Sequence, residues 1–559
     1  MNGRDGVLIL SENAGSHEEP GQWAITVNPL DVYGQPRSWT ISTGPAAAAR
    51  RSGRSTIPRM ATTAARELVS VNPATLGPVG AVRRTDPDEI TAIVAAARLA
   101  QERWHAAGPD ARARVLHEAG RVLRARADAI ADSVVAETAK PRTEAIAHDL
   151  YPAVDHAAWL AKHASRVLRD ERVRFPQLHL KTKKAWLVYE PLGVVAAITP
   201  WNIPFGIPFT EVATAVAAGN GVVLKPSELT PLTGEWVRRV LEEAGAPVGL
   251  VQVVQGEAEV GESLVADPGI AKVFFTGSVA VGRRVAAAAG SRGCPVVLEL
   301  GGKDPMVVFA DADLDRAVEG AVFASFINAG QACVSAERIY VERPLYAEFT
   351  RRLVERARQL KLGDEVGPLI SERQRDKVEQ LTGARRAERG GWFLEPTVLE
   401  HPLPDEEIFG PVVTVEPFDG EDEAVRRAND TQFGLAASVW SRDVGKAKRV
   451  AREIEAGMVW VNDFGYSFTI GQAAWGGVKG SGFGRTNSKH GLYECVAVKY
   501  VDSDRGRLRP AWWFPYDVET ERSLRALLDV LYGSRGERVR AAWRYRRELV
   551  HAVKRSLGR

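Results

Sequence analysis

Residues 221–289 read GVVLKPSELTPLTGEWVRRVLEEAGAPVGLVQVVQGEAEVGESLVADPGIAKVFFTGSVAVGRRVAAAA. Gly221-Val-Val-Leu-Lys225 is a short apolar run suited to a strand buried on both faces. Residues 233–244 carry apolar side chains at helical spacing, and Val251-Gln-Val-Val254 is a second strand. A helix over 260–266, a strand at Lys272-Val-Phe-Phe275 and a helix over 282–289 complete the rhythm. Strands alternating with helices imply a parallel, doubly wound sheet, whose ligands sit beyond the C-terminal ends of its strands.

Upstream, a helical pattern runs from Asp86 through Ile90, Ile93, Ala97 and Leu99, with further helices over about 110–139 and 143–169. Residues 173–195 alternate and are rich in β-branched and aromatic side chains, so they read as strands. Downstream, a second α/β stretch starts at Met306-Val-Val-Phe309 and continues to about residue 470. A glycine-rich segment follows over 458–484, then a terminal strand at Val496-Ala-Val-Lys-Tyr-Val501. Residues 1–65 mix Gly, Ser, Pro and Arg without a sustained period and are expected to be disordered; Met60 is a candidate alternative start.

The 559 residues are 45% hydrophobic and 26% charged, the balance of a globular chain with a large core. Lys+Arg 73 against Asp+Glu 70 leaves +3, so no charge excess points to nucleic acid. Cys294, Cys333 and Cys495 are too few for a structural zinc site and leave one over from any disulfide, which suggests the reducing cytoplasm. The charge-free run 191–210 contains four prolines and is rejected as a membrane span. No basic segment followed by an apolar signal core opens the chain.

Several residues carry candidate chemistry. Gly277-Ser278 ends a strand at a helix N-terminus, where free N–H groups and the helix dipole suit a phosphate. Lys225-Pro-Ser-Glu228 ends a parallel strand, offering a cation and a ribose acceptor. Cys333 is a candidate nucleophile if a neighbouring group favours the thiolate. Glu299, between leucines, is a candidate base, since burial raises a carboxyl pKa toward neutrality. Asn202, in a loop after a strand, offers a neutral amide to a developing oxyanion. Taken singly each has an ordinary explanation: an N-cap serine, a solvated helix start, an inert cysteine, a paired core carboxylate, an Asx turn.

Their joint order removes the ambiguity. Pro200-Trp-Asn-Ile-Pro-Phe205, Lys225-Pro-Ser-Glu228, Phe275-Thr-Gly-Ser278, Glu299-Leu-Gly-Gly-Lys303, Gly330-Gln-Ala-Cys333, Glu407-Ile-Phe-Gly-Pro411 and the run from Gly476 to Arg485 resemble the signature set of the NAD(P)-dependent aldehyde dehydrogenase superfamily, over about residues 68–501. The resemblance implies an α/β fold: a doubly wound cofactor domain over 66–298 with oligomerisation strands near 173–189, a catalytic domain over 299–470, a return over 471–503 and a basic amphipathic tail over 504–559. It implies Cys333 as nucleophile, Asn202 with the Cys333 N–H as oxyanion donors, and Glu299 as the base that hydrolyses a thioester, with no metal. For NAD, or NADP in its place, it implies Ile198, Pro200, Trp201, Lys225, Ser227, Glu228, Gly256, Gly277, Ser278, Leu300, Gly301, Glu407 and Phe409. Glu228 disfavours a 2′-phosphate, so NAD is expected. A homodimer or homotetramer is expected from the strands at 173–189 and 496–501.

Phe205, Phe209, Phe464, Tyr466 and Phe468 flank positions that line the family's access tunnel, suggesting an apolar aldehyde. Thr210 stands where some semialdehyde-specific relatives carry arginine, although succinate semialdehyde remains the alternative substrate and a non-catalytic scaffold the alternative role. Two departures stand out. The stretch 363–391 is short enough to lack a helix and a strand start, and Trp475 replaces a usual phenylalanine. In the tail, Val539, Trp543, Val550, Val553 and Leu557 align on one helical face among arginines, suggesting peripheral contact with an anionic membrane or packing on the protein's own surface.

Overall fold

The computed structural model describes residues 67–175, 180, 182–505, 510, 512–514 and 516–556. The expected disordered segment 1–65, the start at Met60 and tail residue Leu557 lie outside the described residues. An antiparallel pair, β1 (Glu67–Val71) and β2 (Pro78–Arg83), precedes the helices Ile90–Ala106, Gly108–Ala125, Ala127–Thr138 and Tyr151–Val167. Strands β3 (Glu171–Val173) and β4 (Lys183–Pro191) then pair antiparallel.

The stretch that opened the reading forms the first six-stranded sheet. β5 (Val194–Ile198), β6 (Gly221–Lys225), β7 (Val251–Val253), β8 (Ile270–Thr276) and β9 (Val296–Glu299) run parallel, in spatial order β9-β8-β5-β6-β7. All five residues of β6 are buried, as a central parallel strand covered by helices on both faces requires. The order reverses at β5, whose neighbours are β6 and β8, so the C-terminal ends of those strands flank a crevice. The sheet's two faces carry separate apolar clusters, one built on Leu116, Leu224 and Val240, the other on Ile90, Val223 and Leu264.

The second sheet is β10 (Asp304–Val308), β11 (Ala336–Glu342), β12 (Thr397–Leu399), β13 (Val412–Phe418), β14 (Ala436–Trp440) and β15 (Met458–Val461), parallel in the order β12-β13-β11-β10-β14-β15. The chain therefore passes from the last parallel strand of one sheet to the first of the other between Glu299 and Asp304. It later returns: β16 (Gly482–Phe483) pairs antiparallel with β9, setting Gly482 opposite Glu299. β17 (Val496–Asp504) joins β4 along nine residue pairs to make a three-stranded sheet, order β17-β4-β3.

Two expectations need correction. The stretch 363–391 does hold a helix, Glu372–Thr382, followed by an isolated bridge between Arg386 and Leu394 in place of a strand. Phe205 and Phe209 do not face a tunnel. Both are fully buried in the core, stacked with ring centroids 5.5 Å apart, at the start of the helix Gly206–Ala218. Every residue of that helix is buried, and its N-terminus is satisfied from a distance: Asp149 Oδ1 accepts from Phe205 N (2.9 Å) and Gly206 N (3.0 Å).

Candidate active site

Cys333 is delivered by a strained turn. The helix Leu314–Phe326 ends, and Asn328 (φ 51°), Ala329 (φ 56°) and Gly330 (φ 70°) all take left-handed backbone conformations before β11 begins. A non-glycine residue there costs about 1–2 kcal/mol. At Gly330 a Cβ would also collide with the Gly410 carbonyl oxygen, so glycine is required. The Gln331 side chain pins the turn, donating to the Asn328 and Pro368 carbonyls (both 3.1 Å) and accepting from Ile370 N (2.9 Å).

Asn202 meets this turn from the other sheet. Its Nδ2 donates to the Gln331 carbonyl (3.0 Å), leaving its second N–H for another acceptor. Its own carbonyl accepts from Asn328 Nδ2 (3.0 Å) and from Lys140 Nζ (2.6 Å), and that ammonium also lies 3.4 Å from the buried Asp149 carboxylate. The loop carrying the amide is thus fixed by a buried network.

Glu299 ends β9 with both carboxyl oxygens buried and without a hydrogen-bond partner. Burial raises its pKa well above the usual range, the nearby Glu211 adds to this, and Arg485 opposes. Glu211 itself is lifted to about 7 by burial, against a hydrogen bond from Thr276 Oγ1 (2.7 Å). The Cys333 thiol is also pushed up, first by burial and then by Asp304, Glu407 and Glu299. A backbone N–H favours the thiolate but is outweighed by burial and the nearby carboxylates; the thiol needs a base, and unpartnered carboxyl oxygens share its cavities.

Two cavities meet at these residues. One, of about 280 Å³, is lined by Thr210, Glu211, Phe464, Tyr466, Phe468 and Trp475, among others, and includes Cys333 and Glu299. The other, of about 200 Å³, is lined by Pro200, Trp201, Asn202, Gly277, Ser278, Leu300, Gly301, Glu407 and Phe409, and again by Cys333 and Glu299. Cys333 and Glu299 thus line both chambers, and Asn202 lines the second beside them.

The second chamber presents groups suited to part of a dinucleotide. Ser278 caps the helix Val279–Gly290, its Oγ accepting from Val281 N (3.4 Å), with the remaining N–H groups at the dipole's positive end. A Cβ at Gly301 would strike the Glu407 carboxylate, so the backbone there is kept bare. Glu407 Oε1 accepts from Gly302 N (3.1 Å), and burial raises its pKa to about 8. Trp201 meets Phe409 edge-on at 5.4 Å. Ile198, Lys225, Ser227, Glu228 and Gly256 lie further out, at and beyond the ends of β5, β6 and β7. Ile198 pairs with Lys225, which is buried, and the Lys225 ammonium stands 3.9 Å from the half-buried Glu228 carboxylate.

A model of the aldehyde dehydrogenase family matches residues 60–501. The chain belongs to that family. It is 38% identical over 472 residues to the betaine aldehyde dehydrogenase of Sinorhizobium fredii, covering 80% of this chain and 96% of that protein. The same identity holds over 458 residues with the betaine aldehyde dehydrogenase of Rhizobium leguminosarum bv. trifolii, 77% of this chain and 93% of that one. Among solved structures, the Staphylococcus aureus betaine aldehyde dehydrogenase in complex with NAD+ superposes with a TM-score of 0.77 at 32% identity, covering 81% of this chain and 94% of that chain. The NAD+ complex of a Bacillus cereus aldehyde dehydrogenase gives 0.75 at 32%, with 79% and 94% covered. The α/β fold and the assignment as an aldehyde-oxidising oxidoreductase are thereby borne out.

Sequence reading missed the residues that hold the site in place. Glu337, buried in β11, accepts from Ile408 N (2.8 Å) and Phe409 N (3.0 Å) and pairs with Lys303 (3.2 Å), so it anchors the Glu407 loop. Lys377 Nζ donates to the Glu407 carbonyl (2.8 Å) and Gln374 Nε2 to the Phe409 carbonyl (2.9 Å), both from the helix in the shortened stretch. Glu337 shares its strand with Arg338 and Glu342, so its sequence carried no signal that set it apart.

Proposed function

We propose that this aldehyde dehydrogenase oxidises a small aldehyde carrying a quaternary ammonium group, such as betaine aldehyde, to its carboxylate, with NAD as acceptor. The lining of the larger cavity carries the reading. Phe323, Phe464, Tyr466, Phe468 and Trp475 wall it with rings, and Glu211 and Glu299 supply carboxyl groups. Phe468 meets Trp475 at 5.1 Å and Phe323 meets Phe464 at 6.1 Å, both edge-on. Ring faces attract a trimethylammonium group, whose methyls are apolar and whose charge is diffuse. The aromatic side chains that suggested an apolar aldehyde serve this substrate as well. The relatives named above, betaine aldehyde dehydrogenases, support the same choice. A semialdehyde carboxylate finds Thr210 and two carboxyls instead, and the one lysine of the cavity, Lys140, is engaged with Asn202 and Asp149.

In this reading the Cys333 thiol gives its proton to Glu299 while Sγ bonds to the aldehyde carbon. The carbonyl oxygen becomes an oxyanion held by the free Asn202 N–H and the Cys333 backbone N–H. NAD, when bound in the second chamber, supplies a hydride acceptor. The aldehyde carbon, having lost its hydride, is a Cys333 thioester. Glu299 passes the thiol's proton to solvent and, again a carboxylate, takes a proton from water as the water oxygen bonds to that carbon. The carbon–sulfur bond breaks, sulfur leaves as the thiolate and recovers its proton from Glu299, and the acid product releases its own proton to solvent. The buried, unpartnered carboxyl oxygens make Glu299 a stronger base than an exposed carboxylate. The Glu228 carboxylate supports NAD over NADP, and the NAD+ complexes of the relatives agree.

The three-stranded sheet supports a homodimer or homotetramer: β17 leaves one edge free and Val498, Tyr500 and Val501 exposed. Three free cysteines support a cytoplasmic setting. Among the described residues no helix is long and apolar enough to cross a membrane. The test compares kcat/KM for betaine aldehyde, its neutral tert-butyl carbon isostere and succinic semialdehyde. The reading expects betaine aldehyde to lead the isostere by about tenfold or more; parity with the isostere, or a semialdehyde preference, overturns it.

A further inference from the structure

The described tail residues from 512 onward include three packed helices with large apolar side chains left on the outside. The helix Val518–Tyr532 packs along the helices Arg535–Arg544 and Arg546–Ser556, which run back beside it. Ser523 Oγ donates to the Glu548 carbonyl (2.9 Å), and His551 Nδ1 lies 3.1 Å from Glu519. The residues buried inside are small: Thr520, Ser523, Ala526, Ala541 and Ala552. Leu524, Leu527, Leu531 and Leu549 are half-buried, whereas a set of other large apolar residues points outward. Val539 is 72% exposed, Trp543 74%, Val550 54% and Val553 59%, with Phe514 at 72% nearby in sequence. Val539 and Trp543 are four apart on the helix Arg535–Arg544 and Val550 and Val553 three apart on the helix Arg546–Ser556, so each helix carries its exposed pair on one face. A unit folded for water alone would bury such side chains.

Cations surround this face. Residues 535–556 hold eight Lys and Arg against two Asp and Glu. Arg538 and Arg540 donate to the backbone carbonyls of Val530 and Gly536, and Arg546 lies over the Trp543 ring at 5.2 Å, so among the described residues their closest partners are carbonyls and a ring. We propose that the Val539–Trp543–Val550–Val553 face, with its flanking arginines, docks on the surface of an anionic lipid bilayer. Valines and tryptophan enter the headgroup–acyl boundary while the guanidinium groups meet lipid phosphates. Charge complementarity selects this occupant. A second copy of the tail would set two strongly cationic faces against each other, and a nucleic acid would leave the apolar stripe in water.

The experiment is co-sedimentation of the full-length chain with phosphatidylcholine vesicles, with and without about one-third phosphatidylglycerol. Binding is expected on the anionic vesicles, weakening with salt. Each cation at the surface contributes about fivefold in partitioning, so the triple variant Arg540→Glu, Arg544→Glu, Arg547→Glu should bind about a hundredfold or more weakly. Val539→Asp with Val553→Asp should also release the chain, and aldehyde oxidation by both variants should match the parent. Four outcomes overturn the proposal: no binding by the parent, equal binding to both vesicles, undiminished binding by the variants, or a tail-dependent oligomer formed in place of lipid binding.

Discussion

Replacing Asn202 by Ala separates chemistry from stability, because the structure assigns its side chain one role in each. The Nδ2 group has two hydrogens. One goes to the Gln331 carbonyl at 3.0 Å, and the other remains for the oxyanion. The Gln331 carbonyl also accepts from Asn328 Nδ2 at 3.0 Å, so the turn before Cys333 keeps a donor when Asn202 is truncated. Only one replaceable hydrogen bond and a few buried atoms are lost, at a cost of about 1–2 kcal/mol in folding. Losing an oxyanion donor costs about 2.7–4 kcal/mol in the transition state, or roughly a hundred- to thousandfold in kcat. KM for the aldehyde should change little, since the donor acts on charge absent from the ground state. Steady-state formation of reduced cofactor gives kcat and KM, and thermal unfolding gives the stability change. A kcat within about threefold of the parent would refute the oxyanion role. So would a loss of activity that only tracks loss of folded protein.

Glu211 gives the larger cavity a pH dependence. With its carboxyl held near 7, kcat/KM for a cationic aldehyde should rise as pH climbs through that value and charge appears, whereas the tert-butyl isostere should show no matching rise; Glu211→Gln abolishes the difference. The same raised pKa affects folding. Between the ordinary carboxyl value of about 4.3 and about 7 the folded chain keeps a proton that the unfolded chain has released, so stability falls as pH rises across that window; the melting temperature of Glu211→Gln should fall less steeply there. Gly330→Ala forces a Cβ into the Gly410 carbonyl at φ 70° and should cost about 3 kcal/mol or more, read as a lower melting temperature with lost activity. Glu228→Ala removes the carboxylate 3.9 Å from Lys225 and should raise kcat/KM with NADP about tenfold while NAD use declines.

What could be read ahead of the structure was whatever repeats or clusters along the chain. β6, β7 and β8 carry their period openly, and Cys333, Glu299 and Asn202 each sit in a contiguous motif. The helix Gly206–Ala218 was not legible, because burial on all sides erases the apolar–polar alternation that marks a surface helix. Its burial also explains why Phe205 and Phe209 belong to the core and not to the tunnel. The groups that fix the site, Lys140, Asp149, Glu337, Gln374 and Lys377, come from segments far apart in sequence and act through backbone carbonyls and N–H groups. Such partners have no side-chain signature. The tail was half visible: spacing showed the apolar face, but only the packing showed that its fully buried residues are small.

The central claim is that Cys333 carries the substrate and Glu299 releases it. Intact-protein and peptide mass measurement of Glu299→Gln, mixed with aldehyde and NAD, tests both at once. The expected result is a slowed formation of about one reduced cofactor per active site, because the variant also lacks the base that takes the thiol proton, followed by a stall with an acyl adduct on Cys333. Full turnover by the variant, or an adduct on the buried Cys294 or Cys495 instead, would contradict the account.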